Sequence, residues 1–277
     1  MRNDLSFGHG MATAIDEAVY LVLFALKLPV DTPETFWDTR LTDDEREAVI
    51  DLLVERAESK KPAAYITNQA WFCDLPFYVD ERALVPRSPI GELIQQQFAP
   101  WIEFEETHRI LDLCTGSGCI GIACLYAFPH AQVDLADISQ DALDVAEMNI
   151  ERHGVGQSVT TCLGDGLSAC EDNQYDLIVC NPPYVDEEDM SLLTDEFKHE
   201  PAMALESGND GLDFTRTLLG EAANYLTEEG VIIVEVGNSQ YALQEAYPEV
   251  PFHWFEFEKG GHGVFLLTKQ QLEMFFS

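Results

Sequence analysis

Positive charge is scarce in this chain. Fifteen Lys and Arg face 50 Asp and Glu, a formal net charge of −35. A surface of that sign repels phosphate backbones and anionic membranes and attracts cations over a Debye length. It argues against sequence-specific nucleic acid binding and for a basic protein as partner, although net charge also serves solubility. Long apolar runs are missing as well. The longest, Ala18 to Val30, is broken by Lys27 and Pro29 and falls short of the roughly 20 residues of a membrane-spanning helix. The opening MRNDLSFGHG lacks the charged start, apolar stretch and cleavage site of a secretory signal, so a cytoplasmic protein with no membrane contact is expected. The seven cysteines form no CxxC pair and leave an odd number, and the seven histidines show no paired ligand spacing. Reduced core thiols and no metal site are the expectation.

What is present is a core: 277 residues with 46% hydrophobic content bury enough apolar surface for one large domain or two smaller ones. From Asp16 to Lys61 the periodicity is helical, with Thr42 and Glu45 spaced as a capping box. Short aromatic and β-branched runs around Asp74 and Pro76 predict a β-hairpin bridge. PRSPIGELIQQQF then opens a helix, with Ser88 as N-cap and Pro89 at the first helical position. After His108 strands and helices alternate through RILDLC, QVDLADI, SVTTCLG, YDLIVC and VIIVEVG, with a long helix ending near Leu226. FHWFEFE and HGVFLLT, joined by Lys-Gly-Gly, predict an antiparallel hairpin. The fold class expected is α/β: a Rossmann-like doubly wound sheet with an antiparallel edge hairpin, preceded by a small helical domain. The boundaries expected are a helical domain over 1–69, a hairpin linker over 70–87 and a catalytic domain over 88–277.

LDLCTGSGCIG, residues 111–121, follows a strand and opens a helix, and Gly116 and Gly118 permit close backbone approach to a ligand. The spacing GxGxxG is formally present, so a dinucleotide is not excluded. Asp112 at the strand end and Asp137, 19 residues after Gly118 at the end of the next strand, favour a nucleoside whose ribose hydroxyls Asp137 accepts. The alternative is a bare tight turn, with Asp137 capping the helix that starts near Ser139. Asp165 and Gly166, after the third strand, form a weaker signal for an adenine edge.

The fourth strand runs into Asn181, Pro182, Pro183 and Tyr184. Proline has no N–H, so this exit offers carbonyl acceptors, and the Asn181 side-chain oxygen adds another. Such a loop suits an NH₂ group on a planar carbon, with Tyr184 as a flat stacking surface. Holding both hydrogens of an amide aims its weakly nucleophilic nitrogen at an electrophile without a general base.

The motifs DLCTGSG, ADIS and NPPYV together resemble the class I S-adenosylmethionine-dependent methyltransferases, in the form that methylates planar NH₂ groups. YITNQAWFCDLPFYVDERALVPRSPIGELI, HEPAMALESGNDGLDFTR and GGHGVFLL resemble the bacterial protein N(5)-glutamine methyltransferase family. The linker from Pro86 to Glu92 is similar to the branch acting on large-subunit (50S) ribosomal protein three. Release-factor enzymes instead carry Pro-Arg-Pro-Asp-Thr-Glu there. The resemblance implies S-adenosylmethionine as cofactor, held by Asp112, Cys114, Thr115, Gly116, Ser117, Gly118, Asp137, Asp165, Gly166 and Asn181. It implies Asn181, Pro182, Pro183 and Tyr184 as the glutamine site, with Asn181, Pro182 and Tyr184 carrying catalysis. The helical region and Arg87 would hold the substrate, a basic ribosomal protein that is free or in an assembly intermediate. Cys114 stands where many relatives have glycine, and Gly166 where release-factor enzymes carry an aromatic. The competing readings are glutamine methylation of release factors, adenine N(6)-methylation of nucleic acid, a catalytically dead scaffold and, last, NAD chemistry.

Overall fold

A computed structural model describes residues 5–6, 11, 13–170 and 173–276. Three helices lead: α1 (Ala14–Ala25), α2 (Asp43–Ser59) and α3 (Ala63–Thr67). The capping box is formed, with Thr42 and Glu45 each accepting the other's backbone N–H. A two-stranded hairpin follows, β1 (Ala70–Phe72) and β2 (Leu75–Phe77). Its two-residue turn places Cys73 and Asp74 at φ 48° and 62°, the left-handed pair that matches the twist of hairpin strands. Helix α4 (Ile90–Gln95) starts one residue later than expected, because Pro89 rather than Ser88 occupies the N-cap. The Ser88 hydroxyl instead accepts from Ile90 N and donates to Glu235 at 2.5 Å.

The remaining elements are β3 (Arg109–Leu113), α5 (Cys119–Ala127), β4 (Gln132–Asp137), α6 (Gln140–His153), β5 (Val159–Leu163), β6 (Tyr175–Cys180) and α7 (Glu187–Leu192). They continue with α8 (Asp213–Glu221), β7 (Leu226–Glu235), α9 (Gln240–Ala246), β8 (His253–Trp254), β9 (Val264–Thr268) and α10 (Lys269–Phe276). The seven-stranded sheet has the order β5-β4-β3-β6-β7-β9-β8, parallel through β7 and antiparallel at β9 and β8. Strands β3 and β6 are buried along nearly their whole length, and β7 is buried from Gly230 to Glu235, as strands covered on both faces must be. Two apolar cores, one on each face, fill the space beneath the helices.

Three expectations are corrected. The long helix ending near Leu226 is α8 followed by a 3₁₀ turn over Ala222–Tyr225. Only His253 and Trp254 of FHWFEFE enter the ladder, with one further bond from Phe255 N to Val264 O. The connection is therefore longer than Lys-Gly-Gly. The chain leaves the edge because Gly260, Gly261 and Gly263 take positive φ and fold the loop back onto Pro89 and Gly237.

Helices α1 and α2 are fastened to the segment after β6. Arg56, 2% exposed, donates to Glu17 at 2.8 Å and Glu196 at 3.5 Å. Lys60 pairs with Asp195 at 2.6 Å, and Ser59 O meets the His199 ring nitrogen at 3.0 Å.

Candidate active site

The strand order reverses at β3, which lies between β4 and β6. Ligands in open α/β sheets collect outside the carboxyl ends of strands at such a point. Leu113 is in register with Cys180, so Cys114 and Asn181 leave the sheet side by side. A cavity of about 720 Å³ opens there, lined among others by Cys114, Thr115, Gly116, Ser117, Asp137, Asp165, Gly166, Asn181 and Pro183. A second cavity of about 440 Å³ is lined by Pro182, Tyr184, Glu235, Gly237 and His262. Asn181 belongs to both walls.

The glycine turn is built from below. Asp112 is fully buried, accepting from the Thr115 hydroxyl at 2.6 Å and from Gly121 N at 2.8 Å. It supports the turn from beneath and is not among the residues lining the large cavity; both donors share Oδ2, and Oδ1 is buried with no partner among the described residues. Gly118 is likewise beneath the surface: a Cβ there would meet Leu135 at 3.1 Å and Ala146 at 3.3 Å. Gly121 lets α5 settle on β4, since its Cβ would fall 2.2 Å from Leu135. Gly116, at φ 55°, faces open space, which leaves its backbone accessible to a ligand.

Asp137 accepts from Gly116 N and from Ser139 N, both at 2.9 Å. The turn-and-cap alternative thus describes half of its role. Each carboxylate oxygen retains a second acceptor site, and the residue lines the cavity, so a pair of ribose hydroxyls fits it. Burial raises its pKa, against the lowering effect of those backbone donors.

Cys114 adopts φ 59°, where an L side chain costs roughly 1–2 kcal/mol, and its thiol touches that of Cys180. Cys114→Gly is expected to keep the fold and raise stability by about 1 kcal/mol, seen as a higher denaturant midpoint. A fall would show that the thiol contact outweighs the strain.

At the NPPY turn, Asn181 Oδ1 is buried without a hydrogen-bond partner among the described residues. The Tyr184 carbonyl accepts from the Ser239 hydroxyl at 2.8 Å, and its phenol donates to Glu235 at 3.0 Å. The Tyr184 ring lies over Gly237, whose Cβ would come within 2.6 Å of it. The stacking face expected of Tyr184 therefore belongs to the smaller cavity. Gly211 allows the 205–212 segment to approach, because a Cβ there would meet Tyr184 O at 2.2 Å.

The Arg87 guanidinium grips Glu200 with two nitrogens, at 2.5 and 2.7 Å, and sits 5.3 Å from the Phe197 ring centre. It ties the linker to the segment after β6 and lines both cavities.

Sequence reasoning missed Glu235, Glu200, Met203 and Phe214. Glu235 is fully enclosed by its neighbours, and burial pushes its carboxyl up to about 7 against the hydrogen bonds from Ser88 and Tyr184. The only sequence signal for it is an acid ending an apolar strand, the same signal that singled out Asp137.

Comparison with known proteins agrees with this geometry. The family model of the methyltransferase small domain matches residues 95–212. The "Ribosomal protein uL3 glutamine methyltransferase" of Francisella tularensis subsp. tularensis is 47% identical over 98% of this chain and 86% of its own length. The protein of the same name from Neisseria gonorrhoeae is 49% identical over 97% and 90%. Among solved structures, the hMettl16 catalytic domain bound to a 3′UTR hairpin superposes with a TM-score of 0.53 at 14% identity, covering 81% of this chain and 80% of that one. The RsmC 16S rRNA methyltransferase of T. Thermophilus superposes at 0.50 and 16% identity, covering 72% and 49%. At those identities the structures establish the class I methyltransferase fold alone. Identity approaching one half over nearly the full length places the chain in the ribosomal protein uL3 glutamine methyltransferase family.

Proposed function

We propose that this protein transfers the methyl group of S-adenosylmethionine to the side-chain nitrogen of a glutamine in ribosomal protein uL3. The observation that carries the proposal is Asn181 Oδ1, an unpartnered buried acceptor in the wall between two cavities. An orphaned buried oxygen costs about 1–3 kcal/mol, a cost that an incoming N–H removes. The larger cavity suits the cofactor: Gly116 gives backbone access, Asp137 offers acceptors to ribose hydroxyls, and Asp165 and Gly166 are in its lining, available to the adenine. Cys114, Thr115 and Ser117 would flank the methionine part. When bound, S-adenosylmethionine supplies a methyl group on a cationic sulfur.

The substrate glutamine enters through the smaller cavity, where Asn181 Oδ1 and the Pro182 carbonyl take its two N–H bonds and Tyr184 bounds it. Its nitrogen then forms the N–C bond as the C–S bond breaks, the bonding pair leaves with sulfur, and a proton passes to water. Fixed acceptors favour the positive charge that develops on nitrogen. The helical region over 1–69 serves substrate recognition, and the hairpin segment over 70–87 joins it to the catalytic part. RNA-binding ribosomal proteins carry excess Lys and Arg, so a partner of net charge −35 gains on-rate from steering.

Methyl-labelled S-adenosylmethionine, offered with uL3, a release factor and duplex DNA in parallel, tests the proposal. Label on a uL3 glutamine, with kcat/KM falling as salt rises from 50 to 300 mM, is expected. Label on the release factor alone would move the substrate, and label on adenine would overturn the chemistry.

A further inference from the structure

Between α1 and α2 the chain runs KLPVDTPETFWDTR, residues 27–40, and every residue but Thr32 is exposed. It is nonetheless ordered by its own turns. Thr32 N donates to Pro29 O at 3.1 Å, Phe36 N to Pro33 O at 3.0 Å, Trp37 N to Glu34 O at 2.9 Å and Thr39 N to Phe36 O at 3.0 Å. Two prolines stiffen it further. Leu28, Val30, Phe36 and Trp37 are 42%, 50%, 60% and 54% exposed. A protein holds such apolar groups in water at a cost unless a partner covers them, and tryptophan and phenylalanine are favoured at interface centres.

We propose that this arm is the docking element for the protein substrate, and that its occupant is a Lys- or Arg-rich segment of that substrate. The inference rests on the reading of uL3 as substrate. Charge decides the occupant. Residues 13–59 hold twelve Asp and Glu against four Lys and Arg, and Asp31, Glu34 and Asp38 alternate with the apolar side chains of the arm. Aromatic faces beside carboxylates receive ammonium and guanidinium groups. A second copy would instead bring −35 against −35. Docking here also bears on the catalytic loop. The α1–α2 pair that carries the arm is bolted through Arg56–Glu196 and Lys60–Asp195 to the segment whose Phe197 lines the smaller cavity. A preorganised arm loses little freedom on binding.

Two variants test this: F36S/W37S, and D31N/E34Q/D38N. Their sites are exposed, so circular dichroism and thermal midpoints should match wild type. With intact uL3 the first is expected to raise KM tenfold or more, leaving kcat, calorimetric S-adenosylmethionine affinity and turnover of a short glutamine peptide unchanged. The second should flatten the salt dependence of KM. An unchanged KM overturns the arm, as does an equal loss on the short peptide, or a self-association in sedimentation that F36S/W37S abolishes. Calorimetric binding of uL3 is measured beside turnover. Arm-dependent binding without methylation would sink the substrate assignment alone, and arm-independent binding with methylation would sink the arm alone.

Discussion

Asn181→Ala is expected to lower the rate of methyl transfer to uL3 by about 10²–10³-fold, the usual loss when one preorganised polar group at the reacting atom is removed. The effect should fall on kcat, because the substrate is held mainly elsewhere and Asn181 acts on the nitrogen as it becomes cationic. Among the described residues Oδ1 has no partner, so the variant breaks no hydrogen bond of that oxygen and should fold with a midpoint no lower than that of the wild type. Single-turnover rates with saturating labelled cofactor separate chemistry from binding. A rate within threefold of wild type would remove Asn181 from the mechanism and leave the Pro182 carbonyl as the remaining acceptor.

Asn181 was legible in the sequence because its signal is local: an apolar strand, then Pro-Pro and an aromatic, which only a strand exit accommodates. Cys114 to Ser117 and Asp137 were legible for the same reason, as members of one strand–turn–helix–strand unit. A carboxyl at the end of a strand looks the same in sequence whether it faces a ligand or the underside of a turn, and at Asp112 the Thr115 and Gly121 donors take Oδ2. Glu235 carried only the signal of an acid ending an apolar strand, and Glu200 and Phe214 carried none. Each reaches the site from an element distant in sequence, and only the order β6-β7 and the fold-back of residues 199–214 bring them to Tyr184 and Asn181. Arg87 was named through the resemblance alone, and its bond to Glu200 joins two segments too far apart in sequence for any local pattern to pair them.

The two buried carboxyls should set stability and activity against each other as pH changes. Burial pushes Asp112 and Glu235 each up to about 7, well above the values of unfolded carboxyls, near 4. A group raised in this way contributes its full stability below its unfolded pKa and loses it as pH rises through the folded value. Unfolding free energy should therefore fall between about pH 4 and 8, by an amount on the order of a few kcal/mol for the pair. Self-repulsion of the acidic surface grows in the same direction, but exposed carboxylates are ionised by about pH 6. The decline from pH 6 to 8 thus belongs mainly to the buried pair, with Asp137, whose pKa burial also raises, acting in the same direction and His153, whose pKa burial lowers, opposing it. Urea midpoints across this range should flatten in D112N and in E235Q. Transfer should run the other way. Ser88 and Tyr184 hydroxyls both sit on Glu235, and the carboxylate accepts a charge-assisted bond from each, whereas the protonated acid holds them only through weaker neutral bonds, one of them reversed in direction. Arg87, beside it, favours the ionised form. kcat/KM should climb through pH 7 in the wild type and lose that limb in E235Q, while S88A and Y184F, each cutting one tie, should be less than additive when combined. An identical pH profile in E235Q would assign the limb to another group and reduce Glu235 to a packing role. Loss of the limb in E235Q would mean that the enzyme works best where its fold is weaker, because the ionised carboxylate that burial disfavours is the form that holds Tyr184 most firmly beside Asn181.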